Sequence, residues 1–157
     1  MDHFSRLFIC MLFLFSLNLG HAQKSPSKFG NISKDELNKA YSTIDSTAGA
    51  EVLFDYGLTT FDHEFRIVMR AHVRVKIFNK SELDRGTVKI PYHEWDYVTG
   101  IKACTYNLEN GKIVKSKLKR RNIYTEEVTG NMHQRNFSLP NVREGSIIEY
   151  KYNVRYG

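Results

Sequence analysis

The segment His63–Asn79, HEFRIVMRAHVRVKIFN, constrains the fold more than any other part of the chain. Phe65, Ile67, Met69, Ala71, Val73, Val75 and Ile77 form one row at period two, and Arg66, Arg70, His72, Arg74 and Lys76 populate the other. Such alternation predicts one long β-strand, or two with a bend, apolar on one face and cationic on the other.

The remaining signals are mostly of the same kind. Ala50–Tyr56 reads as a strand stopped by Gly57. Val88, Ile90 and Tyr92 alternate with Lys89, and Pro91, which cannot donate to a ladder, places that strand at an edge or its end. Tyr97–Asn110 is another strand; its apolar phase changes between Ile101/Ala103 and Cys104/Tyr106/Leu108, which predicts a β-bulge. Asn110-Gly111 between two strand-like runs predicts a type I′ hairpin, a turn that needs positive φ at both central residues. Lys117–Asn122 is a basic turn, followed by shorter strands at Ile123–Val128 and His133–Leu139 around Thr129-Gly130-Asn131. The last strand sets Ile148, Tyr150, Tyr152, Val154 and Tyr156 against Glu149, Lys151, Asn153 and Arg155. One helix signal stands early: Ser33-Lys34-Asp35-Glu36 fits a capping box, with a short helix to about Tyr41. The fold class expected is all-β, an antiparallel β-sandwich or open barrel with one short N-terminal helix.

The beginning of the chain reads as an address. Leu7–Leu19 is apolar, and Gly20-His21-Ala22 puts small residues where signal peptidase cuts. Residues 1–22 are therefore expected to be a signal peptide, with an uncleaved anchor as the alternative because Asp2 weakens the positive start. The product would be exported, to the periplasm, the cell envelope or the medium. Residues 23–49 form a leader with the short helix, and residues 50–157 the β-domain. With Cys10 removed only Cys104 remains, so no disulfide framework is expected. Packing must hold the domain, and 13% aromatic residues make that feasible.

Candidate chemistry is sparse. Cys104 sits mid-strand, without the helix start or nearby base that activates a thiol, and reads as a structural residue. The histidines show no ligand spacing, so neither a metal nor a cofactor is expected. In Pro91–Asp96, His93 and Trp95 could meet a sugar or peptide; the alternative is that Trp95 packs under its loop. Lys112, Lys115, Lys117, Lys119, Arg120 and Arg121 crowd one stretch, and with Arg66, Arg70, Arg74 and Lys76 would make one basic patch if their strands were neighbours. The net charge of +6 suits a face for acidic glycans or lipid phosphates. The alternative is a solvated sheet face plus a charged edge that resists strand pairing. Aromatic residues interleave with the basic ones only at Tyr124, and no nucleic acid partner is expected. Asp45-Ser46-Thr47 fits a short O-glycosylation signal of exported proteins.

Four stretches carry a family resemblance: VLFDYG (Val52–Gly57), RAHVRVKIFNK (Arg70–Lys80), KACTYNLENGKIVKSKL (Lys102–Leu118) and FSLPNVREGSIIEYKY (Phe137–Tyr152). Together they resemble DUF3857, the β-domain that precedes transglutaminase-like cores in secreted bacterial proteins. The resemblance implies a non-catalytic accessory module, not itself an enzyme, whose partner is a downstream core with a Cys-His-Asp triad. It also implies a domain truncated at its C-terminal end. The last strand would then be an uncovered edge, prone to self-association. The other reading from the residues is a stand-alone envelope module that binds anionic glycans or lipids through its basic sheet face.

Overall fold

The computed structural model describes residues 25–157. One short helix, α1 (Lys34–Asn38), precedes eight strands: β1 (Ala50–Phe61), β2 (Ile67–Ile77), β3 (Thr87–His93), β4 (Tyr97–Glu109), β5 (Lys112–Lys117), β6 (Ile123–Thr129), β7 (Met132–Ser138) and β8 (Ile147–Arg155). They form a five-stranded sheet of order β1-β2-β8-β4-β5 and a three-stranded sheet of order β3-β7-β6. Every pairing is antiparallel. The all-β sandwich expected from the alternation is the fold observed. The expected signal peptide, residues 1–22, lies outside the described residues.

The main core lies between the sheets. Val73, Val75 and Ile77 of β2, Val98 and Ala103 of β4 and Ile148 and Val154 of β8 meet Val88 and Ile90 of β3, Phe137 of β7 and Leu139. These are the inward members of period-two rows, brought together because alternate side chains share a face. Pro91 sits in β3, an edge strand, as its missing donor requires. Asn110 and Gly111 have φ of 50° and 72° and close the β4–β5 hairpin as a type I′ turn should.

A second, smaller core lies on the opposite face of the large sheet. Leu37 of α1 packs there with Cys104, Tyr106 and Ile147, and Phe29, Ile32, Leu53 and Leu108 pack around them. The capping box places α1: Ser33 Oγ accepts from the Glu36 amide at 3.1 Å, and Glu36 Oε2 accepts from the Ser33 amide at 2.7 Å. The helix ends at Asn38, short of Tyr41.

This second core corrects the reading of β4. The apolar phase changes at Cys104 because both faces of the strand are covered. The bulge is real but lies earlier, at Gly100 and Ile101, which stand opposite Tyr152 alone between the pairs Thr99↔Asn153 and Lys102↔Lys151. Gly100 takes φ of 65° there.

Two strand limits also differ from expectation. β1 runs through Gly57 to Phe61, because Gly57 keeps its ladder place opposite Ala71. β2 begins at Ile67, because Asp62 Oδ1 accepts from the amides of Glu64 (2.8 Å) and Arg66 (3.0 Å), a local turn that competes with the sheet. The last strand differs most. β8 pairs with β2 on one side and β4 on the other, so it lies inside the sheet. The large sheet's edges are β1 and β5. The expected uncovered edge at β8 is overturned by this register.

Candidate functional site

The register of β1, β2, β8 and β4 arranges the outer face of the large sheet in rows. One row runs Phe54, Arg74, Glu149, Cys104. The next on that face runs Tyr56, His72, Lys151, Lys102, and the one after it begins Leu58, Arg70, Asn153. The cationic row read from β2 thus meets a carboxylate and two further lysines from strands distant in sequence.

The half of this face nearest α1 is closed. Residues 25–38 lie across it as a strap, and Lys76 and Glu149 beneath are 0% exposed and Arg74 2%. Glu149 accepts four bonds, two on each oxygen. Oε1 takes His72 Nε2 and an Arg74 guanidinium nitrogen, both at 2.9 Å; Oε2 takes the Gly30 amide at 2.8 Å and the Tyr106 hydroxyl at 3.1 Å. Those four donors fill a carboxylate's acceptor sites. Arg74 also donates to Glu36 Oε1 at 2.8 Å and Ser27 Oγ at 3.2 Å, and its guanidinium lies over the Phe54 ring at 5.0 Å. Lys76 Nζ donates to the carbonyls of Leu37 (2.6 Å) and Gly145 (2.7 Å). Burial lowers the Lys76 ammonium to about 8. Burial, with the Glu149 charge, raises the Tyr106 hydroxyl. Burial also acts to raise Glu36, but the Ser33 amide and Arg74 outweigh it and hold that carboxyl below its ordinary value.

At the strap's border Ser25 Oγ lies 2.8 Å from His72 Nδ1, so serine, imidazole and carboxylate stand in line. The line differs from a nucleophilic triad in two ways. Ser25 Oγ also donates to the Ser27 carbonyl at 3.0 Å, and one hydroxyl proton cannot serve both partners. Glu149 is paired with Arg74, so its charge is not held for an imidazolium.

The other half of the face is open. A cleft of about 590 Å³ is lined by Tyr56, Arg70, His72, Lys102, Lys151 and Asn153, among others. A second, about as large, lies on the far side of the Gly100 bulge, where Lys102 meets Arg120 and Arg135.

The residues singled out in the sequence therefore part company. Arg74 and Lys76 are held inside the protein, and the solvated cationic face is corrected accordingly. Arg66 belongs to the β1–β2 turn, paired with Asp62 at 3.3 Å and with Glu64. Arg70 is exposed and donates to Thr60 Oγ1 at 2.6 Å. Lys119, Arg120 and Arg121 are exposed in the connection between β5 and β6. β8 and β4 stand between β2 and β5, some 14 Å at the usual strand spacing, so the basic stretch and the β2 row are not on neighbouring strands. β5, with Lys112, Lys115 and Lys117, is a charged edge strand. Trp95 does not pack under its loop: it is 63% exposed and stacks on His93 at 5.8 Å. Glu149, His72, Lys102 and Lys151 were missed as a group. Their sequence trace is faint: each sits on the polar row of a strand, and only the register unites them.

The family model for the domain of unknown function with solved structure, DUF3857, matches residues 63–156. The chain belongs to the DUF3857 family. No curated protein matches the sequence. Among solved structures, this DUF3857 chain is similar to the crystal structure titled as that of a putative protease from Parabacteroides distasonis, with a TM-score of 0.57 at 15% identity. The match covers 69% of this chain and 23% of that one, so the likeness is one of fold, with a fraction of a longer molecule.

Proposed function

We propose that this DUF3857 domain is a non-catalytic β-module of an exported protein, working beside a transglutaminase-like core by packing against it or presenting its substrate. The observation that carries the reading is the fold match to a part, 23%, of a longer chain titled a putative protease. The burial of Cys104 agrees. Cys104 is 4% exposed and sits in the small core beneath α1 with Leu37 and Tyr106, away from any helix start that would activate its thiol. The Ser25–His72–Glu149 line, half-buried at Ser25 and buried at His72 and Glu149, acts in this reading as a clamp on the strap.

The test is enzymatic. Purified protein is expected to release no product in amide-hydrolysis and transamidation assays, and Cys104→Ser and Ser25→Ala are expected to change nothing. Turnover that disappears in either variant would overturn the accessory role and show which group is the nucleophile.

A further inference from the structure

Beyond that role, we infer that the open half of the outer face is a binding site for a small organic acid or phosphate ester, its oxyanion held among Arg70, Lys102 and Lys151. Three observations converge. Lys102 and Lys151 are direct cross-strand partners on one face, an arrangement that destabilises a sheet when nothing lies between the charges. Arg70 lines the same cleft, and none of the three forms a salt bridge among the described residues. Among the described residues no carboxylate lines the cleft, and Glu149, the acid behind His72, is already engaged by four donors.

The site is also built. His72 is fixed between Glu149 and Ser25. The β-bulge opens the floor at Gly100, where a side chain would meet Asn153 Nδ2 at 2.9 Å. Tyr56 and Leu58 supply a less polar wall for the body of the ligand. The volume of about 590 Å³ lies within the range of small-molecule sites. Guanidinium and ammonium groups around an oxyanion give charge-assisted bonds, and an anion there would relieve the lysine repulsion.

The two anion types are separable by titrating the protein with inorganic phosphate and, in parallel, with D-glucuronate, following backbone amide NMR signals. Saturable shifts centred on Gly100, Lys102 and Asn153 are expected. Saturation by phosphate assigns a phosphate-bearing ligand and saturation by glucuronate a carboxylate; either upholds the site. Lys102→Glu and Lys151→Gln should each weaken binding roughly tenfold, the loss of one charge-assisted bond. Lys112→Glu, at the far hairpin, should leave it unchanged. Shifts that never saturate, or an equal loss in Lys112→Glu, would reduce the cleft to diffuse positive charge and overturn the inference.

Discussion

The inner face of the five-stranded sheet is covered by a second sheet, and half of the outer face by a strap that ends in one short helix. Inside, Val73, Val75, Ile77 and Ile148 pack in one apolar cluster with Val88 and Ile90 of β3 and Phe137 of β7, and their burial needs no partner-by-partner matching. Outside, Arg74, Lys76 and Glu149 are just as deeply buried, yet every one relies on named donors or acceptors, several from the strap. The difference lies in what happens when one group is lost. An apolar side chain leaves a cavity, whereas a charge leaves its partners unmatched in a medium that cannot solvate them.

The largest effect should come from testing that contrast at adjacent residues of β8. Glu149→Leu strands Arg74, His72, Tyr106 and the Gly30 amide and should cost about 3–5 kcal/mol, as breaking a buried ion pair does. Ile148→Val, one residue away on the inner face, should cost about 1 kcal/mol. Denaturant midpoints measure both. Replacing Glu149, Arg74 and His72 together by apolar residues should recover much of the loss, since buried ion pairs add little net stability over good packing. Similar small losses for both single variants would erase the distinction between the faces.

A smaller effect is expected in the pH dependence. With the Lys76 ammonium lowered from 10.5 to about 8, the folded state binds fewer protons than the unfolded state between those values. Its contribution to stability therefore rises with pH across that window. The tyrosines act oppositely. Burial pushes Tyr150 up to about 12 and raises Tyr106 and Tyr152, so above pH 10 the unfolded chain loses protons that the folded chain keeps, and stability falls. Unfolding midpoints should climb above pH 8 and turn down past pH 10. Lys76→Met should flatten the climb and leave the fall.

The same contrast explains what could be read in advance. The inner face was legible because alternation and burial agree there: the β2 row, the β3 edge with Pro91 and the Asn110-Gly111 hairpin all follow from local chemistry. The outer face was not. Polar residues at period two look alike whether water or a strap covers them, and Arg70 and Arg74, on either side of His72 in the row, gave no sign that one is exposed and the other buried. The answer depended on residues 25–38, whose polar composition resembles a leader, and on Glu149, which lies far away in the chain. The place of β8 inside the sheet was hidden for a related reason. Chain order says nothing of sheet order, and a strand late in the sequence can sit between two others.

The most direct test of the strap is the exchange of a single amide. The Gly30 N–H donates to Glu149 across the covered half of the sheet, while the Ile77 N–H donates to the Ser146 carbonyl beside the inner core. If the strap is an integral part of the sandwich, native-state hydrogen exchange will find Gly30 protected to a degree comparable with Ile77. Exchange at Gly30 as rapid as at Gly130, in the exposed β6–β7 turn, with Ile77 still protected, would mean that the strap does not hold and that the outer face is open to solvent along its whole length.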